Sequence, residues 1–201
     1  MDFLIIFGFL ATAIGLIKAM PQLISLIRAK KVRGVSLDTA LTTAVVSFGW
    51  AAYGFVSDQY SVGIASGLSG IVFVLVAIFA LKYGRSIKEL KMSPIALLII
   101  AGVGLIWGEV GLGIILPISV LVCNYPQIMV AFKEHDLSGL SLGTWLLSVT
   151  EGIIWGSYAM IQQDYPIIAF GLLQLISGSI IVTLKLKKSK NQYLPELTPL
   201  A

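Results

Sequence analysis

Two ionisable side chains, Glu151 and Lys18, lie inside long apolar stretches of the sequence. A charge at the centre of a bilayer costs at least about 2.5 to 3.5 kcal/mol, so such residues normally face a cavity or one another. Glu151 precedes Trp155 by four residues and Lys18 precedes Pro21 by three, which allows both side chains to point at one site. Three interpretations stay open: a buried ion pair, binding of the carboxylate and ammonium of a zwitterion, or uptake and release of a proton by Glu151.

The amino-acid composition indicates whether these two residues belong to a soluble or to a membrane protein. Of the 201 residues, 57% are hydrophobic and only 12% are charged, and the mean hydropathy is +0.94. Soluble domains are about 45 to 50% apolar. The composition therefore predicts an integral membrane protein in a lipid bilayer. The basic residues fall in short clusters between apolar runs, which argues against nucleic acid as a partner.

The apolar runs predict seven transmembrane helices, since crossing a bilayer takes about 20 residues. Ser36 can cap the second helix with its hydroxyl, and the glycines and serines of the third helix allow close packing. The fourth run is short for a full crossing. The predicted spans are about 3–27, 37–56, 60–81, 94–107, 110–132, 142–160 and 165–184.

The chain contains a duplicated unit, because adding 105 to residue numbers in its first part reaches matching residues in its second part. The offset carries Pro21 onto Pro126, and the Gly-x-Ser-Leu at 34–37 onto the same pattern at 139–142. An ungapped period of this length indicates a repeated structural unit. The predicted division is a three-helix repeat at 1–83, a linker with the fourth helix at 84–109, a second three-helix repeat at 110–187 and a disordered cytoplasmic tail at 188–201.

The charges predict the orientation, because loops retained in the cytoplasm carry an excess of Lys and Arg. With the N-terminus outside and the C-terminus in the cytoplasm, every basic residue except Lys18 falls in a cytoplasmic segment. A bacterial-type plasma membrane is the expected location. The odd fourth helix inverts the chain direction, so the predicted fold is an all-α membrane protein with seven transmembrane helices, in which two parallel three-helix repeats are joined by an inversion linker helix (3+1+3).

Each predicted unit has Pro-Gln near the cytoplasmic end of its first helix and Gly-x-Ser-Leu at the start of its second helix. This arrangement resembles the PQ-loop/SWEET superfamily over about 3–184. The resemblance implies a transporter that moves a small polar solute by alternating access between two three-helix units. It implies sugars for the SWEET branch and amino acids for the lysosomal PQ-loop branch.

The resemblance also implies that the repeated prolines form hinges of a cytoplasmic gate. Pro21 is followed by Gln22, and Pro126 by Gln127, whose amides can bond the carbonyls that proline frees. A proline inside a helix removes one backbone hydrogen bond and creates a point of bending. A static kink is the alternative interpretation.

Aromatic residues at helical spacing are the candidate walls of a solute pocket. Trp50 with Tyr53, and Trp155 with Tyr158, share helix faces three residues apart. The tryptophans resemble the flat walls against which SWEET members stack a sugar ring. Tyr and Trp are also enriched at membrane interfaces, and we expect the tyrosines to form such a belt.

Polar partners for a solute are expected on the third helix of each unit. Sugar-carrying members resemble one another in having Asn there, and the matching positions here are Ser66 and Gly171. Gln174, one turn further along, and Asn124 are the other expected hydrogen-bonding groups. The predicted solute-binding set is therefore Trp50, Trp155, Asn124, Ser66, Gln174, Lys18 and Glu151.

Asp38 allows two interpretations. It lies in the first turn of the second helix, where the helix dipole favours a carboxylate. Its position after Gly-x-Ser also resembles that of an aspartate that couples amino-acid transport to protons. Asp38 and Glu151 are thus both proton-coupling candidates, and a proton-coupled amino-acid carrier is an alternative to a sugar facilitator.

Two further classes of protein are weighed against transport. A membrane receptor for a carboxylate-bearing ligand would need more basic residues within the spans than Lys18. An enzyme would need a paired nucleophile and base, which the sequence does not present. We therefore expect no catalysis, no cofactor and no metal site. The glycine-rich third helices and the linker helix leave a homo-oligomer open as a partner.

Overall fold

In the computed structural model of the chain, which describes residues 3–30, 32, 35–133, 137 and 141–193, all regular structure is helical. The chain divides into two units, Met1–Leu116 and Pro117–Ala201. The elements are α1 (Phe3–Ala29), α2 (Leu37–Val56), α3 (Tyr60–Lys82), a 3-10 turn (Ile87–Glu89), α4 (Met92–Lys133), α5 (Leu142–Gln162) and α6 (Tyr165–Tyr193).

α4 consists of two segments, 92–107 and 109–133, which meet at Gly108. The backbone of Gly108 has φ 55° and ψ −135°, a conformation that glycine adopts most easily. A methyl group placed on Gly104 would lie 3.3 Å from Cδ2 of Leu112, although residues eight apart in a straight helix are separated by about 12 Å. The chain therefore folds back at Gly108. Seven helical segments result within the described part of the chain, as predicted from the sequence.

Glycines set the distance between the second and third helices of each unit. A Cβ atom on Gly54 of α2 would lie only 2.4 Å from the backbone nitrogen of Gly63 on α3. In the second unit, a Cβ atom on Gly171 of α6 would lie 2.7 Å from Cα of Gly156 and 2.9 Å from the carbonyl oxygen of Gly152 on α5. Such backbone-to-backbone approach is available only without side chains. The predicted packing role of the third helix is confirmed.

The repeat is visible in the backbone as well as in the residue types. Ser36 caps α2 and Ser141 caps α5, each accepting a hydrogen bond from the amide three residues on, at 3.2 and 3.3 Å. At the opposite ends of these helices, Asp58 and Gln163 both take left-handed conformations, with φ 57° and 58°. Both pairs are separated by the offset of 105, so the two units use the same caps and turns. The predicted cap at Ser36 is confirmed.

Four helices are both long and apolar enough to cross a membrane, judged on the described residues. They are Leu37–Val56, Tyr60–Lys82, Met92–Lys133 and Tyr165–Ser189. α1 contributes a shorter apolar stretch at Ile6–Ile17. α5 matches the predicted sixth span in position, but Glu151 and its Ser and Thr residues make it less apolar than the other four.

α6 runs well beyond the predicted span and includes residues 188–193, which the sequence analysis assigned to a disordered tail. Within this part of the chain the prediction is wrong. The Nζ of Lys188 donates to the carbonyl oxygens of Ala131 and Phe132, at 2.8 and 2.9 Å. A cation is favoured at the C-terminal end of a helix, here that of α4, so helical continuation of α6 is stabilised by this contact. Residues 194–201 lie outside the described part.

Candidate functional site

The two aromatic pairs have the same geometry in both units. The ring centroids of Trp50 and Tyr53 lie 5.7 Å apart at an interplanar angle of 88°, and those of Trp155 and Tyr158 lie 5.6 Å apart at 85°. These are edge-to-face contacts, an arrangement that the aromatic quadrupole favours. All four side chains are buried, with Tyr53 and Tyr158 only 3% exposed. The tyrosines therefore do not form the lipid-facing belt that the sequence analysis expected.

The second unit brings two predicted polar residues into direct contact. The Nδ2 of Asn124 on α4 donates to Oε1 of Gln174 on α6 at 3.0 Å, and also to Oγ of Ser177 at 2.8 Å. Ser177 in turn donates to the carbonyl oxygen of Gln174 at 3.2 Å. We call these three residues the amide cluster. Gln174 and Ser177 are buried, whereas Asn124 is half-buried.

Ser177 is the member of the amide cluster that the sequence analysis missed. It follows Gln174 by three residues, so the two share a face of α6, and this spacing was the available signal. The offset of 105 leads from the amide cluster to Ala19, Ser69 and Val72. Ala and Val carry no polar side-chain atom, so the first unit cannot build the same cluster.

Glu151 is half-buried on α5, one turn before Trp155. Ser66 on α3 and Gln127 on α4 are also half-buried. The described side chains contain no group of three or more His, Cys, Asp or Glu residues that could hold a metal ion.

The remaining predicted residues are placed by their backbone alone. α1 is helical through Lys18, Pro21 and Gln22, and α4 is helical through Pro126. The side chains of these four residues lie outside the described ones. Their roles in solute binding and gating stay predictions.

The carboxylate of Asp38 is bound to another helix of the first unit. It accepts hydrogen bonds from the backbone nitrogens of Met92 and Ser93, both at 2.9 Å, and from Oγ of Ser93 at 2.8 Å. Met92 and Ser93 open α4, so Asp38 of α2 neutralises the free amides at the start of the linker helix. Its counterpart in the second unit is Gly143. Sequence spacing cannot reveal this partner, which lies more than 50 residues away.

We expect Asp38→Ala to destabilise the start of α4, because two helix amides and a serine hydroxyl lose their acceptor. The expected loss is about 1 to 2 kcal/mol in the free energy of unfolding, the usual cost of removing a helix cap. Hydrogen exchange of the peptide covering 91–96 should accelerate, whereas Asp38→Asn should change it less, since one carbonyl oxygen remains. Asp58→Asn is the control, because it removes the charge of an exposed aspartate and keeps a residue type that tolerates the left-handed backbone at this turn. Equal exchange in Asp38→Ala and wild type would contradict the capping role.

The fold of the chain is similar to that of a membrane transporter of known structure. The chain is similar to a eukaryotic SWEET transporter whose structure was solved at 3.7 Å resolution, with a TM-score of 0.73 and 18% sequence identity. The match covers 94% of this chain and 100% of that one. This likeness confirms the predicted fold, an all-α membrane protein with seven helices in a 3+1+3 arrangement.

The sequence itself is similar to that of another known protein, and it also matches a protein family. The chain is 35% identical to the uncharacterized protein MJ0110 of Methanocaldococcus jannaschii over 65 residues, which are 32% of this chain and 69% of that protein. The PQ loop repeat matches twice, at residues 3–62 and 109–168, which together exceed half of the chain. The protein therefore belongs to the PQ loop repeat family, as a two-repeat, multi-pass integral membrane member.

Proposed function

We propose that the protein is a transporter that moves a small polar solute across the membrane by alternating access of its two three-helix repeats. The amide cluster is the observation that carries the proposal. Polar side chains within membrane helices are expensive unless they bond one another or line a solute path. Asn124 is only half-buried, so its amide can exchange a protein partner for a hydroxyl or carboxylate of a solute.

Further residues of the proposed site are those that the sequence analysis selected. In the first unit, Trp50 supplies an apolar face, and Lys18 and Ser66 supply polar contacts. In the second unit, Trp155 supplies the apolar face and Glu151 a polar contact. Pro21 and Pro126, with Gln22 and Gln127, act as hinges. The charge distribution supports an outside N-terminus and a cytoplasmic C-terminus.

Uptake into proteoliposomes tests the proposal directly. Purified protein is reconstituted and offered a panel of radiolabelled sugars and amino acids, with and without an inward proton gradient. We expect saturable uptake of at least one solute that unlabelled solute competes away and that protein-free vesicles lack. If correctly folded protein in sealed vesicles moves none of the panel under either condition, the proposal fails for these two solute classes.

Proton-coupled amino-acid transport is the second candidate, and the position of Glu151 favours it. A half-buried carboxylate midway along a membrane helix is suited to take up and release a proton. Asp38 is less suited to this role, because protonation would remove the acceptor that holds Met92 and Ser93. The candidate therefore assigns coupling to Glu151, with Lys18 as the second charge.

Glu151→Gln is expected to abolish the effect of a proton gradient on amino-acid uptake while leaving solute exchange intact, because Gln cannot carry the proton. Glu109→Gln is the matched control, since Glu109 is an exposed carboxylate beside the turn at Gly108. Retention of gradient-driven accumulation in Glu151→Gln would contradict the coupling role. If a sugar equilibrates regardless of pH and Glu151→Gln only lowers the melting temperature, the protein is a facilitator in which Glu151 is structural.

A further inference from the structure

In each unit a loop connects the first helix to the second. One apolar residue of this loop, at the same position in both repeats, packs into its unit. Val32 packs against the buried cluster that contains Leu26 of α1 and Ala80 of α3. In the second unit, Leu137, which is 105 residues further on, is buried in a cluster with Ala131 and Ile181. Each loop thus places one apolar side chain between the first and third helices of its unit, and we call Val32 and Leu137 the plug residues.

The backbone carbonyl of each plug residue accepts a hydrogen bond from a cation. In the first unit, Nη2 of Arg85 donates to the carbonyl oxygen of Val32 at 3.2 Å. In the second unit, Nζ of Lys185 donates to the carbonyl oxygen of Leu137. Arg85 follows the end of α3, whereas Lys185 lies within α6, and the offset of 105 does not relate the two positions. The two repeats therefore form the same contact with donors at different sequence positions.

Additional bonds hold the Arg85 side chain in position. Its Nη1 lies 3.4 Å from Oε2 of Glu89, and Oε1 of Glu89 accepts from the backbone nitrogen of Ser86 at 3.0 Å. The carbonyl of Val32 also accepts from the backbone nitrogen of Val35 at 3.1 Å. The loop turn can therefore persist without Arg85, which makes the contact testable without unfolding the unit.

In the second unit, the third helix, α6, carries two lysines that donate hydrogen bonds to backbone carbonyls. Besides the bond from Lys185 to the loop, Lys188 bonds the last-turn carbonyls of Ala131 and Phe132 on α4. Both donors project from α6, so α6 holds the loop and the end of the first helix of this repeat at the same time.

We propose that Arg85 and Lys185 are latches, positioning residues that fasten the loop of each repeat to its third helix, Arg85 from just beyond the end of α3 and Lys185 from within α6. Each plug residue follows the repeated proline by 11 residues, Val32 after Pro21 and Leu137 after Pro126. The latch therefore holds the chain at a point 11 residues beyond the proline. Bending at the proline must carry the latched part of the third helix along, or must first break the latch. The role in transport rests on the proposed function, whereas the latch itself does not.

Hydrogen exchange tests the latch without reference to transport. In Arg85→Gln, we expect the peptide covering residues 30–36 to exchange about three to ten times faster, the scale of one lost charge-assisted hydrogen bond at a partly exposed site. The peptide covering 135–141 should stay unchanged. Lys185→Gln should give the reverse pattern. Arg85→Lys should restore slow exchange, because a lysine keeps a donor for the carbonyl of Val32.

Two exposed lysines provide matched controls. Lys88→Gln removes a charge from the same segment as Arg85, and Lys187→Gln removes one from the same helix as Lys185. Neither should accelerate exchange in either loop. If Lys88→Gln acts like Arg85→Gln, or if Arg85→Gln leaves exchange as in wild type, the latch is refuted.

Transport measured on the same variants tests the role in gating. We expect Arg85→Gln and Lys185→Gln to change the maximal uptake rate several-fold with KM unchanged, because a gate movement is altered and solute contacts are kept. The rate falls if the latch carries the third helix along with the bend, and it rises if the latch has to break before the bend forms. Unchanged maximal rates together with faster loop exchange would refute the gating role and leave the latch standing. Absence of uptake in wild type would refute the proposed function, and the exchange pattern would still decide whether the latch exists.

Discussion

Replacing Gly54 with alanine is expected to force α2 and α3 apart and to lower the stability of the first unit by about 3 kcal/mol, the upper part of the range for overpacking. The added Cβ would lie 2.4 Å from the backbone nitrogen of Gly63, and a backbone atom cannot move aside as a side chain can. Alanine is the better helix former by about 0.8 to 1 kcal/mol, which offsets only part of the loss. The measurement is the melting temperature of the purified protein in detergent.

Gly67→Ala provides the control for this prediction, because it makes the same change on the same pair of helices. A Cβ on Gly67 would lie 3.8 Å from Cβ of Ala51, an ordinary van der Waals distance. This variant should melt at or slightly above the wild-type temperature, since it gains helix propensity without a clash. Equal destabilisation by both substitutions would contradict the claim that backbone contact at Gly54 limits the packing.

Trp155→Ala is expected to reduce solute uptake roughly thirtyfold. The loss of about 2 kcal/mol of apolar and stacking contact with a solute corresponds to that factor. Initial uptake rates over a range of solute concentrations measure it. Trp107→Ala is the matched control, because Trp107 on α4 is 63% exposed. That variant should transport as wild type does.

Two further substitutions separate an aromatic wall from simple packing at this position. Trp155→Phe keeps an aromatic face, whereas Trp155→Leu fills part of the space without one. Uptake should recover partly in the first and not in the second, while both melt at similar temperatures. If Leu supports uptake as well as Phe does, Trp155 is a core residue and not a pocket wall.

The helices were predictable from the sequence because the physical signals that define them are local. Apolar runs, serine caps at 36 and 141, and polar turns fall within two residues of the observed ends for α2, α3 and α5. α6 is the exception. Its predicted end rested on a run of lysines, but lysine is a good helix former and Lys188 bonds α4. The continuation depends on a tertiary contact that no local pattern records.

The candidate site was predictable only in part, for the same reason. Asn124 and Gln174 were each selected as a hydrogen-bonding partner for a solute, and the structure joins them to each other. Asp38 was predicted to interact with the dipole of its own helix or to couple protons, and its contact with the start of α4 was not predicted. Arg85 was counted only as a charge that sets orientation. Each role depends on which distant backbone group lies within reach of the side chain.

The reversal at Gly108 has a consequence for how the protein is made. Between Met92 and Lys133, Glu109 is the single charged residue in a stretch that is otherwise suited to membrane insertion. During synthesis, the insertion machinery meets this stretch as one nearly unbroken hydrophobic segment. Whether it inserts as a hairpin or as one overlong helix depends on the turn that Gly108 allows. The direction in which the chain leaves this turn into the segment 109–133 is therefore set at a single glycine.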